Sequence, residues 1–269
     1  LLAIGAPARR LTPKVVEAAL AETGLAVGDL REGTSTERRT FLGETADGTP
    51  LFVTFVGRDE RDADLLYRSV RALRVKGIDD QLAGVRPGSQ VRHEALASFL
   101  AREAGVAVPA VHAVGETAGG EGVLAVERVD GPTLDELDPA AVDDALLQAV
   151  WAQVRDLHGR RIAHRRLTID QIAVGPDRRP MLLGLRWCQT GADDLQLAAD
   201  VAELLVATAL VVGAERAVAA AAAVLADDDL AAALPLVQPL ALSIETRRAA
   251  KTDHELLPAV RRAIQGRTG

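Results

Sequence analysis

Two arginines, a histidine and an aspartate are the side chains best suited to chemistry. Arg166 and Arg186 each carry a rigid guanidinium fork that matches the edge of a phosphate or carboxylate. His164 is of the residue type of a general base, and Asp170 carries the carboxylate nearest to Arg166 in the chain. Each also has a plain structural reading: His164 as a packed scaffold residue, Arg166 as a solvated cation or one bonded to a loop carbonyl. His93, His112, His158 and His254 are scattered without ligand spacing, so no metal site is expected. Cys188 is the single cysteine, which excludes an intramolecular disulfide and a thiolate zinc cluster and fits a reducing compartment. Trp151 and Trp187 are expected in the core or lining a cleft.

These side chains need a frame. Thr12-Pro13, an apolar-periodic run and Gly24 predict a capped helix. Residues 39–45 and 50–56 read as strands around a hairpin turn at Asp47-Gly48. An acidic start and a basic end predict a helix over 59–76, residues 81–90 read as a loop, and a second helix is expected over 91–104, closed by Gly105. Residues 106–116 and 122–129 read as strands, and Gly131-Pro132 breaks the chain. Val142, Leu146, Val150, Val154 and Leu157 have a helical period, predicting a helix over 139–162. A strand pair follows over 171–174 and 181–185, then helix after helix from 193, with breaks near Gly213, 227–229, Pro235, Pro239 and Pro258. The apolar run 204–214 is too short to span a bilayer and reads as a buried helix.

That order, a small strand-rich part followed by a large helical part with an embedded hairpin, resembles the protein-kinase and aminoglycoside-phosphotransferase superfamily. Local residues carry the resemblance: His93 to Leu100 with Gly105 to Pro109 for a small-lobe helix and strand, Glu127 to Leu134 for a hinge, Ile162 to Val174 for a catalytic loop, Pro180 to Arg186 for the metal-binding triplet, and Asp200 to Leu205 for the next helix. The resemblance implies an α+β, bilobal kinase-like fold, with a small β-rich N-lobe over 1–129, a large helical C-lobe over 130–269, and a cleft between them. More narrowly, Val56 to Arg68 resembles kinase-like domains beside the membrane regions of actinobacterial lysylphosphatidylglycerol-synthase or flippase-type proteins.

Phosphoryl transfer needs a strand lysine, a catalytic-loop aspartate, and an asparagine and second aspartate for magnesium. By the resemblance those positions hold Thr54, Arg166, Gln171 and Gly184, so the base, the metal ligands and the phosphate clamp are replaced together. The loop from Gly33 to Arg39 has one glycine, too few for a phosphate cradle. Scaffold residues persist: Glu94 where a helix glutamate would meet the lost lysine, His164 and Arg165 in the loop, and Asp200 where an aspartate would brace the loop through its amides. Arg186 then has a plain reading as the partner of Glu94.

The expected function is that of a pseudokinase, a non-catalytic regulatory or protein-interaction domain without cofactor or metal. Two alternatives stay open: a metal-independent sensor of a nucleotide or other phosphorylated ligand through Arg166 and Arg186, and an atypical phosphotransferase using Asp170. A net charge of −7 and 3% aromatics argue against a nucleic-acid partner. The missing initiator Met reads as a fragment of a longer protein. The resemblance makes that protein membrane-bound, with this domain cytoplasmic and tethered at the inner face of the plasma membrane, and makes its partner a protein or the attached membrane domain.

Overall fold

The structure, a computed structural model, describes residues 12–33, 38–57, 86–117 and 120–268. The helix expected over 59–76, part of the loop expected over 81–90, and residues 34–37 lie outside the described residues. The chain divides into two units, one built from the described residues up to 57 with 86–92 and 111–128, the other from 93–110 and 129–268.

The first unit is an antiparallel sheet backed by one helix. The helix, α1 (Pro13–Glu22), starts after extended Thr12, whose side chain makes no capping bond, and ends through left-handed Gly24. The strands are β1 (Val27–Glu32), β2 (Arg39–Thr45), β3 (Pro50–Val56), β4 (Val111–Glu116) and β5 (Gly122–Glu127), in the order β1-β2-β3-β5-β4. Val16, Ala19 and Leu20 of α1 are buried with Phe41, Leu51, Val53 and Phe55. Each of these Val, Leu and Phe side chains contributes on the order of 2 kcal/mol when removed from water. The β2–β3 turn uses Gly48 at a φ of 84°, where a side chain would be strained. Strand β1 has no counterpart in the sequence reading: Gly28 and Asp29 disfavour strand, and the pairing slips between Gly28 and Arg31 with Asp29 at positive φ, a bulge on an edge strand. Strand β4 begins at Val111 rather than 106.

The second unit is helical. Helix α2 (Pro87–Glu103) begins four residues earlier than expected, because Pro87 sits in the first turn, where its missing N–H costs nothing. Its residues from 93 on belong to this unit. The reason is packing: Ala97, Ala101, Val106 and Val108 lie in the same apolar core as Trp151 and Leu204. The elements that follow are α3 (Asp144–His158), β6 (Ile162–Ala163), β7 (Ile172–Val174), β8 (Pro180–Leu182), β9 (Gln189–Thr190), α4 (Asp194–Val212), α5 (Ala214–Ala222), α6 (Asp227–Ala233), α7 (Ile244–Ala250) and α8 (Leu256–Thr268). The helix expected over 139–162 is shorter because Asp143 caps α3, accepting from the Leu146 N–H at 2.8 Å, after a separate 3-10 turn at Pro139–Ala141. Pro258 does not break the chain but lies in the first turn of α8. Gly131 packs so closely on the Val174 carbonyl that a Cβ has no room there.

Helix α4 organises this unit. It has 19 residues, and an 18-residue stretch of it has a mean hydropathy of 1.9, so by length and composition alone it is long and apolar enough to cross a membrane. Here it is buried from Val201 to Ala209 and packs against α5, α6, α7 and α8. Two carboxylates, Asp200 and Glu203, are buried on it, and both are hydrogen-bonded.

Candidate functional site

The loop between β6 and β7 holds most of the residues singled out from the sequence, and α4 fixes its shape. Asp200 is 1% exposed and accepts hydrogen bonds from the backbone N–H groups of His164, at 2.5 Å, and Arg165, at 2.7 Å. His158 Nε2 stands 3.3 Å from the same carboxylate. Arg165 adopts a φ of 67°, a conformation that costs a non-glycine residue about 1–2 kcal/mol and is held here by the aspartate. A carboxylate satisfied by two amides is a stable buried anion, because those bonds replace its lost hydration.

His164 is fully buried, and its Nε2 lies 2.6 Å from the Leu183 carbonyl. A carbonyl only accepts, so Nε2 is the donor. Burial lowers the pKa of this imidazole, while the Asp200 charge and the Leu183 carbonyl oppose the shift without overcoming it. The ring is thus a neutral strut between the loop and the residue that follows β8.

The positions that the family resemblance assigns to metal ligands are neighbours. Gln171 bonds through its carbonyl to the Leu183 N–H at 2.8 Å, and its side-chain nitrogen donates to Asp170 at 2.6 Å. Gly184 has a φ of 68°, and a Cβ built there falls on the Gln171 side-chain oxygen. The space beside residue 184 therefore holds an amide rather than a carboxylate. Among the described residues, no group of three His, Cys, Asp or Glu side chains is placed to hold a metal ion. A hard divalent cation wants several oxygen ligands, most of them charged, and Asp170 is the one carboxylate in this loop.

The two arginines converge on one ring. The Arg186 guanidinium lies 4.7 Å from the centre of the Trp187 indole and that of Arg166 lies 5.4 Å from it, both within cation–π range. Arg166 also reaches Glu245 in the first turn of α7, at 3.4 Å. Trp187 as a stacking platform and Glu245 as a counter-charge were not found from the sequence. The tryptophan had a local signal, being adjacent to Arg186; Glu245 lies 79 residues from Arg166 and had none.

Cys188 follows the ring. Its thiol is buried and its carbonyl lies 2.7 Å from His93 Nε2 on α2. Burial raises the thiol pKa well above its ordinary value, and the charges of Asp200 and Glu94 add to the rise, so this is an inert structural thiol. Thr54 belongs to the sheet unit. It lies in central strand β3, opposite Thr40 of β2 and Leu124 of β5, and is 7% exposed. Strand alternation puts it on the face opposite Val53 and Phe55.

No protein-family model matches this chain. No curated protein matches it. Among solved structures, the co-crystal structure of WbdD and the kinase inhibitor LY294002 is similar to it at 17% identity and a TM-score of 0.39, covering 65% of this chain and 35% of that one. The chain thus spans about a third of the length of the WbdD chain.

Proposed function

We propose that this α+β chain is a kinase-like domain that has lost catalysis and acts as a binding or regulatory module. One observation carries the reading: Asp200 braces a loop whose chemical positions are Arg166 and Gln171, and Gln171 packs against Gly184 where a metal-binding aspartate would stand. The brace is retained while the carboxylates and the asparagine it would position are replaced. The domain works in the cytoplasm as part of a longer membrane protein that handles lipids or envelope precursors, and its partner is a protein or that membrane region. This part of the proposal is supported by the resemblance of Val56 to Arg68 alone.

The test is a thermal-shift titration with ATP, in magnesium and then in EDTA, with transfer of labelled γ-phosphate measured in parallel. The expected outcome is no magnesium-dependent shift and no transfer. A ligand that binds only the folded state raises the midpoint, by about 2.7 kcal/mol of stability at a hundred times its Kd. A shift that requires magnesium, or any transfer, overturns the reading and returns Asp170 to candidacy as a base.

A second reading is favoured by the stacking of Arg166 and Arg186 on Trp187. Held in this way, the guanidinium edges are oriented and the site binds a phosphorylated ligand without metal. A midpoint shift in EDTA that is lost on Arg186→Ala is its expected signature.

A further inference from the structure

Helix α2 buries small side chains and exposes large ones. Ala95, Ala97 and Ala101 are buried, while Leu96, Phe99 and Leu100 are 51%, 49% and 39% exposed. Residues three and four apart are neighbours on a helix, so these three side chains form one patch. A lone exposed leucine needs no explanation, but adjoining large side chains leave a contiguous apolar surface, the mark of an interaction site. The charges at its ends indicate what covers it. Arg92 lies one turn before Leu96 and Glu103 one turn after Phe99, both exposed, at successive spacings of four, three and four. The stripe Arg92, Leu96, Phe99, Glu103 is thus spaced symmetrically about the midpoint between 97 and 98, with a cation at one end and an anion at the other. We propose that α2 is the contact of a homodimer, in which two copies of the helix pair antiparallel through Leu96, Phe99 and Leu100 and are held in register by Arg92 and Glu103.

Three features fit this arrangement. First, the pattern is its own complement in reverse. A copy laid antiparallel across the midpoint sets Leu96 against Phe99 and Arg92 against Glu103, and a two-fold axis makes each contact twice. A parallel copy would set Arg92 against Arg92 and Glu103 against Glu103, so the charges select the antiparallel register. Second, the charged groups are available. Glu103 has no hydrogen bond or ion pair among the described residues. Arg92 donates to Glu116 from one terminal nitrogen, at 2.9 Å, which leaves the rest of its fork for a second carboxylate. Third, α2 does not depend on the patch for its own place, because Ala97 and Ala101 on its other side are fully buried in the core of the helical unit. The patch also sets the strength of the contact. A standard stable interface buries roughly 800 Å² per partner, and one helix stripe offers less, so the dimer is weak, with a Kd on the order of 10–100 µM.

The test is sedimentation equilibrium of the whole chain, from about 5 µM to about 500 µM. The wild-type chain is expected to pass from monomer to dimer in that range. Phe99→Ser, Glu103→Arg and Arg92→Glu change exposed side chains, and unchanged circular dichroism verifies their fold. Each is expected to raise the dimer Kd about tenfold or more. The decisive arm mixes two weakened chains. Across a two-fold axis, a Glu103→Arg chain and an Arg92→Glu chain present opposite charges to each other at both ends of the stripe. The mixture is therefore expected to regain the dimer that neither variant forms alone, which a misfolded variant does not do. A wild-type chain that stays monomeric throughout overturns the homodimer and gives the patch to another occupant, a different protein or another segment of this chain. A dimer indifferent to Phe99→Ser, or a mixture without recovery, overturns the antiparallel α2 pairing. None of these outcomes touches the non-catalytic reading, which magnesium dependence and phosphoryl transfer decide.

Discussion

His164 shows how a residue of catalytic type becomes a strut. It has the residue type of a base, yet its Nε2 is committed to the Leu183 carbonyl and its ring has no exposure. Its pKa lies below the ordinary 6.5, chiefly because burial disfavours the imidazolium. The consequence for stability has a definite sign. Above pH 6.5 the ring is neutral in both states and adds no pH dependence. Below it the unfolded chain takes up a proton that the folded chain refuses, so stability falls as pH falls toward the folded pKa. The slope from this one group is at most about 1.4 kcal/mol per pH unit. Urea midpoints at pH 7.5 and 5.5 check this: the loss on acidification should shrink by about 1 kcal/mol in His164→Gln, whatever that variant's stability at neutral pH. An undiminished loss would mean that His164 is protonated in the fold.

Between elements, Gly184 and Gln171 are the pair to perturb. Restoring an aspartate at 184 does not simply return a ligand. The backbone there has a φ of 68°, which costs a side-chain-bearing residue about 1–2 kcal/mol, and the new Cβ displaces the Gln171 side chain from its place beside Asp170. Gly184→Asp is therefore expected to lose about 2 kcal/mol of stability. Adding Gln171→Asn withdraws the obstructing oxygen by one methylene and should recover part of that loss, giving a coupling of about 0.5 kcal/mol or more in a double-mutant cycle. Additive effects would place the two side chains apart. How far such juxtapositions were legible depends on their span. The β2–β3 hairpin was readable from Asp47-Gly48 because the signal is local, and the periodicity from Val142 to Leu157 marked α3. The start of α3 was not readable, since Asp143 ends one turn and caps the next within a continuous apolar period. Strand β1 was hidden by Gly28 and Asp29, residues whose strand conformation is imposed by pairing with β2. The Arg166–Glu245 contact joins segments that only the packing of α7 on α4 brings together, so no spacing rule reaches it.

For the molecule as a whole, the two units differ in how much apolar surface they bury, and that difference should set the order in which they open. The sheet unit has one core of short reach: one face of β2, β3, β4 and β5 closed by Val16, Ala19 and Leu20 of α1. Its outer strand β1 is exposed at most positions and bulged, so its ladder is open to water. The helical unit surrounds α4, which is buried without interruption from Val201 to Ala209 and carries two internally satisfied carboxylates. Small cores remove a smaller fraction of their surface from water and are correspondingly marginal, and local opening free energies follow burial and protected backbone bonds. Hydrogen exchange read by mass spectrometry should therefore find the amides of α3 and α4 the slowest in the described chain, with those of β1 exchanging first and β2 to β5 between. Phe41→Ala, which empties the sheet core at a cost of about 3–5 kcal/mol, should accelerate exchange throughout β2 to β5 and leave α4 unchanged. Equal acceleration in α4 would mean that the units unfold as one cooperative body, and the retained loop brace at Asp200 would then depend on the sheet as much as on its own helix.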